Sequence, residues 1–205
     1  MTDENKNWKV EPGQISDAPA TWNYYTWTEF FNKEECRLIS EFIDNNWHRE
    51  EKKEDGAGVT GDKRRISSVT RIHYGHVKHL ISNLVERAYK ITNAEFGFKT
   101  FGPYDIDELL WNTYTSDDKD RYDWHFDESR VTTYSTKMTL LINLSPEPYT
   151  GGEFQTYTYN EDNHPDYDKP GSAIMFKSHF NHRVLPMTSG TRKTLALFLC
   201  GPRLT

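Results

Sequence analysis

The apolar residues of this 205-residue chain change their period once, and that change limits the folds open to it. Cys36, Ile39, Phe42, Ile43 and Trp47 recur at helical spacing, and so do Val77, Leu80, Ile81, Leu84, Val85 and Ala88, in a segment closing near Gly97. Asn32, with Glu35 three residues later, supplies an N-cap and a capping box for the first helix. From about residue 101 onward the apolar residues fall instead in short runs or alternate, separated by turn residues, which predicts strands. Each helix must bury its one apolar stripe. The expected class is therefore α+β, mostly β, with both helices bracing one sheet of a β-barrel or sandwich. Residues 1 to 20 read as a polar arm, and residues 48 to 65, charged and glycine-containing, as a loop. Residues 21 to 205 then form a single domain, with helical support over about 28–97 and a barrel over about 101–202.

Within the strand region lies His125-Phe126-Asp127, followed by His182 and, ten residues on, by Arg192. Chance alone yields about 0.6 His-x-Asp triplets in a chain with 8 His, and a second triplet, His164-Pro165-Asp166, does occur. The flanks separate them. Trp124 to Asp127 can run as a strand, which points His125 and Asp127 to one face, whereas His164 sits among Asn, Asp and Pro residues that read as a loop. Ser172 to Ser178 reads as a buried strand that delivers His182 to the start of the next one. Two imidazoles and one carboxylate suit a non-haem Fe(II) site, because they occupy one face of an octahedral ion and leave three positions open. Arg192 opens the apolar run Leu195 to Cys200; facing inward, its planar fork can bind a carboxylate at two points, and Lys193 would then face outward. His179 is the rival to His182 as third ligand, but the ten-residue step to Arg192 favours His182. His73, His76 and His79 read as a solvated helix face. Tyr122 and Trp124 are expected to wall the pocket, Gly151-Gly152 to form a tight turn, and Asn143 either to be bonded in the core or to face a co-substrate.

The order Tyr114, Tyr122 to Asp127, Leu140 to Leu144, Gly151 to Phe154, Phe176 to Ser178 and His182 to Arg192 resembles the prolyl 4-hydroxylase branch of the 2-oxoglutarate- and Fe(II)-dependent oxygenases. It spans about Trp111 to Pro202. The resemblance implies a double-stranded β-helix (jelly-roll) core, Fe(II) on His125, Asp127 and His182, and the far carboxylate of 2-oxoglutarate on Arg192 with help from Tyr114 and Thr194. It also implies O2 as oxidant, ascorbate as an optional reductant, release of succinate and CO2, and a peptidyl proline or another residue of a peptide or protein as substrate. Segments 115–121 and 160–170, polar and charged, suit either loops that close over such a chain or plain surface. Met187 departs from the valine more usual after the proline, an apolar-for-apolar exchange. Asp127 leaves no ligand position for a halide, so a halogenase is not expected. The alternatives are a small-molecule hydroxylase and a non-catalytic cupin-like metal-binding or interaction domain; the latter has no use for an inward guanidinium.

A net charge of −6 argues against a general nucleic-acid or anionic-membrane surface. No apolar run approaches the roughly 20 residues of a membrane span, the first residues lack a signal-peptide core, and only Cys36 and Cys200 occur, so a cytoplasmic location is expected. Nothing in the sequence fixes an oligomeric state.

Overall fold

The structure, a computed structural model, describes residues 23–47, 53–57, 63–127 and 133–203. The arm expected over residues 1 to 20 lies outside them. The chain begins with strand β1 (Tyr24–Trp27) and helix α1 (Lys33–Asn46), followed by the hairpin strands β2 (Lys53–Ala57) and β3 (Lys63–His73) and helix α2 (Tyr74–Ala94). Then come β4 (Glu108–Thr115), β5 (Arg121–His125), β6 (Tyr134–Asn143), β7 (Thr150–Gly151), β8 (Phe154–Tyr157) and β9 (Glu161–Asn163). A short helix α3 (Pro165–Asp168) precedes β10 (Ala173–Lys177), β11 (Asn181–Val184), β12 (Met187–Ser189) and β13 (Thr191–Pro202). The strands pair antiparallel in the order β1-β10-β6-β13-β4-β3-β5-β11-β8-β9, curled into the jelly-roll core that the resemblance implies, with β2 on β3 and a separate β12-β7 pair.

The capping box forms as expected. Asn32 accepts from the Glu35 amide at 3.0 Å, and Glu35 accepts from the Asn32 amide at 2.8 Å. Cys36, Ile39 and Ile43 of α1 and Val77, Ile81, Leu84, Val85 and Ala88 of α2 pack on Leu109, Trp111, Leu140, Ile142, Met175, Leu195 and Leu197, the outward residues of the larger sheet. Each such aliphatic side chain stabilises the fold by about 1.5–3 kcal/mol through burial. The alternate residues turn inward: Tyr114, Phe154, Ile174, Phe176, Val184 and Met187 build a second apolar cluster inside the barrel. Lys193 does face outward and pairs with Asp44 of α1, which also accepts from the Trp111 indole at 3.0 Å. Gly171, at φ +84°, gives a close approach: a Cβ there would lie 1.9 Å from the Phe31 carbonyl, where the loop entering α1 lies on the barrel.

Two expectations are corrected. The stretch 48–65 is not simply a loop: β2 and the start of β3 lie in it, and β3 is a barrel strand inside the region read as helical support. Its N-terminal end pairs with β5 through Arg65 and Ile66, and its C-terminal end with β4 through Ser68 to His73, so β3 carries the sheet from one side of the barrel to the other. Second, 160–170 contains β9 and α3, and His164 and Tyr167 are buried there. The other candidate loop, 115–121, is also tied down: buried Asp120 accepts from the Thr115 amide at 2.8 Å and from its hydroxyl at 3.1 Å. The three histidines of α2's start pack on aromatic neighbours, His76 stacking on Trp47 and His79 edge-on to Phe42. Among the described residues, no helix is long and apolar enough to cross a membrane.

Candidate active site

β5 and β11 run side by side with His125 opposite His182. Past that pair the register slips, so that Tyr122 comes opposite Val184 and two residues of β5 face one of β11. This bulge points both Tyr122 and His125 inward although they are three apart, and Tyr122 stacks on the imidazole at 3.4 Å between centroids. It also places Trp124 outside rather than in the pocket wall: the indole lies under the Arg183 guanidinium at 4.3 Å and edge-on to Tyr157. The strand ends at His125, two residues short of the expected limit, yet Asp127 stays alongside because its amide bonds the Ser178 carbonyl at 2.8 Å.

The potential ligand atoms of His125, Asp127 and His182 all lie within 4.8 Å of one another, the one such group among the described residues. Both imidazoles are oriented from behind. His125 Nδ1 is 2.7 Å from the Asp123 carbonyl and His182 Nδ1 is 3.0 Å from that of Phe180. A carbonyl can only accept, so each Nδ1 carries the proton and each Nε2 its lone pair. Those Nε2 atoms lie 3.9 Å and 3.4 Å from the Asp127 carboxylate. Asp127 Oδ2 accepts from the Thr139 hydroxyl at 2.8 Å, and Thr139 in turn meets Ser178 at 3.0 Å. Phe176 packs edge-on against His182 at 4.6 Å, with Phe154 at 5.7 Å. The rival His179 is exposed beside Phe180, and His164, from the other triplet, is buried on Thr156 at 2.8 Å.

The triad lines one cavity of about 980 Å³ together with Arg192, Tyr114 and Thr194. Arg192 is 1% exposed. Its Nη2 donates to the Tyr167 hydroxyl at 3.1 Å, while its Nε is the only buried side-chain nitrogen or oxygen without a hydrogen-bond partner among the described residues. An unfilled guanidinium edge in a cavity wall fits a carboxylate that accepts from it. Burial opposes the charge on Arg192, but the oxygens of Tyr167, Tyr149, Asp168 and Tyr114 outweigh it, so its pKa stays above even the ordinary arginine value. Tyr114 sits opposite Arg192 across β4 and β13, its ring centroid 5.8 Å from the guanidinium carbon. Thr194 accepts a long hydrogen bond of 3.5 Å from Asn112. Gly152, at φ +69°, is needed here, because a Cβ would meet Met187 Sδ at 2.4 Å and Arg192 Cδ at 3.2 Å. Asn143 is a bonded core residue: its amide donates to Tyr149 at 2.8 Å and to the Asp168 carbonyl at 3.0 Å, and its oxygen accepts from Ser145.

Sequence reasoning missed Tyr167, the Thr139–Ser178 pair and Arg65. Arg65 stands in the cavity wall over the Tyr122 ring at 4.7 Å and donates to Asn112. No pattern marks the first two, whereas Arg65 follows once β3 is recognised as a strand.

A jelly roll with a His/Asp/His group and an inward arginine on one cavity is the arrangement that the resemblance to metal- and oxo-acid-dependent oxygenases implies. Residues 110–200 match the model of the 2OG-Fe(II) oxygenase superfamily. The structure is similar to the viral collagen prolyl hydroxylase of Paramecium Bursaria Chlorella virus-1, with a TM-score of 0.65 at 17% identity over 87% of this chain and 96% of that one. It is also similar to a Pseudomonas putida prolyl-4-hydroxylase (TM-score 0.63, 16% identity, 91% and 95% covered). A third is a Trichoplax adhaerens prolyl hydroxylase solved with a hypoxia inducible factor peptide fragment (TM-score 0.59, 14% identity, 87% and 84% covered). In sequence, no curated protein matches. Over residues 110–200 the chain is similar to the 2OG-Fe(II) oxygenases, and its fold is prolyl 4-hydroxylase-like; together these support an oxygenase that works with Fe(II), 2-oxoglutarate and O2.

Proposed function

We propose that this protein hydroxylates a carbon of a peptide or protein substrate, a peptidyl proline above all, with His125, Asp127 and His182 holding Fe(II) and Arg192, Tyr114 and Thr194 holding 2-oxoglutarate. The observation that carries this reading is the sharing of one cavity by the triad and the unfilled Arg192 edge. When bound, the iron and its co-substrate supply the oxidising chemistry: one oxygen atom of O2 enters a substrate C–H bond, the other ends in succinate, and CO2 leaves.

The protein's own part is positioning. His125 and His182 present neutral Nε2 atoms because their Nδ1 protons are engaged by backbone carbonyls, and Thr139 fixes the rotation of the Asp127 carboxylate. Tyr122 stacks on His125, and Phe154 and Phe176 pack against His182, so ring surface holds both imidazoles in place. Arg192 anchors the far carboxylate, which holds the keto-acid end of the molecule toward the triad. The cavity is far larger than a five-carbon diacid requires and continues to a rim with exposed Phe101, Tyr104 and Ile106, which suits an extended chain. That one similar protein is a collagen prolyl hydroxylase and another a prolyl hydroxylase solved with a peptide fragment supports the same reading.

The test is substrate-dependent succinate formation with a panel of proline-containing peptides, each paired with a copy in which alanine replaces proline. Turnover with a one-oxygen mass gain on the proline members alone supports the reading. Turnover that ignores the proline, or that occurs only with free small molecules, contradicts it.

A further inference from the structure

The cavity that holds the triad and Arg192 extends past Leu110 and Ala196 to a second end, lined by Tyr89, Phe101, Tyr104 and Asp107. This end is built around Gly102. A Cβ there would lie 2.9 Å from Asp107 Oδ2 and 3.3 Å from the Tyr89 hydroxyl, so the glycine, at φ +86°, keeps open a space that both oxygens border. Neither oxygen is used up by the protein. Tyr89 is only 6% exposed, yet among the described residues its hydroxyl makes no hydrogen bond, and buried tyrosine hydroxyls ordinarily find a partner. The Asp107 carboxylate accepts from the Tyr104 amide at 2.8 Å and, among the described residues, has no cationic partner. Its neighbours in the chain, Asp105 and Glu108, are already paired, with Lys78 and Arg71. Burial and the charge of Asp107 push the Tyr89 phenol up, so it stays neutral and its oxygen can accept.

The loop that carries these groups is pinned in place. The Phe101 amide donates to the Cys200 carbonyl, the Tyr74 amide to the Asp107 carbonyl and the Gly75 amide to the Asp105 carbonyl, each at 2.8 Å. Phe101 and Tyr104 are nonetheless 44% and 56% exposed. Two rings held out beside a carboxylate and a phenol oxygen are the groups that recognise an organic cation, through π faces and charge-assisted hydrogen bonds.

We propose that this end of the cavity is a specificity subsite for a basic side chain, lysine or arginine, of the substrate chain. The proposal rests on the function above and deepens it. Asp107 stands five residues before Asn112, which meets Thr194 in the cavity wall, and the rise of a strand puts about 16 Å between the two. An extended substrate covers that span in about five residues, so with the reach of its own side chain the basic residue belongs roughly three to five residues from the carbon that reacts.

The experiment uses fluorescein-labelled peptides of alanine, serine and glycine with one central proline and one lysine, the lysine moved stepwise through the positions on either side. Matching peptides carry norleucine in its place. Binding to the full chain loaded anaerobically with Fe(II) and 2-oxoglutarate is read by fluorescence anisotropy at low salt, and turnover by succinate formation in air. At the best spacing, wild type binds the lysine peptide roughly five- to thirtyfold more tightly than its norleucine copy, and Asp107→Asn brings the two within about twofold. Tyr89→Phe removes part of the preference. Both variants keep the wild-type rise in Tm with 2-oxoglutarate, which shows that they are folded and that the co-substrate site is intact. A wild type that does not distinguish lysine from norleucine at any position overturns the proposal, and so does an Asp107→Asn variant that keeps the preference; proline-dependent turnover in either case leaves the function standing without it. A lysine preference that is lost in Asp107→Asn, with no proline-dependent turnover of any peptide, supports the subsite and overturns the peptide-hydroxylase function.

Discussion

Arg192 is a cation kept in the barrel wall against its own solvation, and removing it should make the ligand-free protein no less stable. The side chain is 1% exposed, makes its hydrogen bond to Tyr167 and leaves Nε unpartnered. An unsatisfied buried polar group costs about 1–3 kcal/mol, and exchanging a buried charged group for an apolar one of similar size is neutral or stabilising by about 1–4 kcal/mol. Arg192→Met alone strands the Tyr167 hydroxyl, which returns a similar cost, so the single variant should sit near wild type. Arg192→Met with Tyr167→Phe removes both polar partners. That double variant should be more stable by about 1–3 kcal/mol, roughly 2–12 °C in Tm for a chain of this size. The comparison belongs near pH 5, because burial pushes the Asp168 carboxyl up to about 6, against the lowering effect of nearby Arg192. At pH 5 Asp168 is protonated with or without Arg192, so its response drops out. Thermal unfolding of the ligand-free proteins provides the assay, repeated at pH 7 with 2-oxoglutarate. There wild type gains about 2.7 kcal/mol at a hundredfold excess over Kd and the double variant gains nothing. A double variant less stable than wild type by more than about 1 kcal/mol, beyond the error of such substitutions, would refute the reasoning, because it would mean that the guanidinium is satisfied by the protein itself.

Two further consequences follow from the hydrogen bonds and burial around the triad. Thr139→Val removes the donor to Asp127 Oδ2 and should weaken Fe(II) binding about 10–100-fold in an anaerobic metal titration, whereas Thr139→Ser should bind as wild type does; equal binding by all three would dismiss the role of that hydroxyl. His164 is buried, and desolvation lowers its pKa to about 4 from the ordinary 6.5. The unfolded chain therefore takes up that proton first as pH falls. The stability His164 contributes is complete above pH 6.5 and is lost toward pH 4, by up to about 3 kcal/mol. Denaturant unfolding of wild type against His164→Gln over that window should show a stability difference that shrinks or reverses with falling pH; a constant difference would rule the linkage out.

Much of this was legible in the sequence because the signals are local. The capping box at Asn32 and Glu35, the stripe Cys36-Ile39-Ile43 and the alternation that sends Arg192 inward and Lys193 toward Asp44 each need only a few neighbouring residues. The spacing His125, Asp127, His182 is also readable, since alternation puts His125 and Asp127 on one face and the apolar strand β10 leads directly into His182. β3 escaped because it is not apolar on its inner side. Arg65 and Ser67 hydrogen-bond to each other at 2.8 Å, and Arg65 lines the cavity, so the pattern that looks like a charged loop is that of a strand with polar residues on its cavity side. The segment 160–170 misled in the opposite sense. Its Asp, Asn and Pro residues do turn the chain, but His164 and Tyr167 are held by contacts with Thr156 and Arg192, neither of them inside the segment. Trp124 was misplaced by one bulge, which no residue pattern announces.

The central claim is that His125, Asp127 and His182 hold Fe(II) beside a co-substrate anchored on Arg192. It is tested most directly by anaerobic titration of the metal-free protein with Fe(II) and then 2-oxoglutarate, alongside Asp127→Ala and Arg192→Ala. The account predicts a visible charge-transfer band in wild type, none in Asp127→Ala, and a band in Arg192→Ala only at far higher 2-oxoglutarate. Iron binding with no band in wild type, or a band that survives in Asp127→Ala, would contradict it.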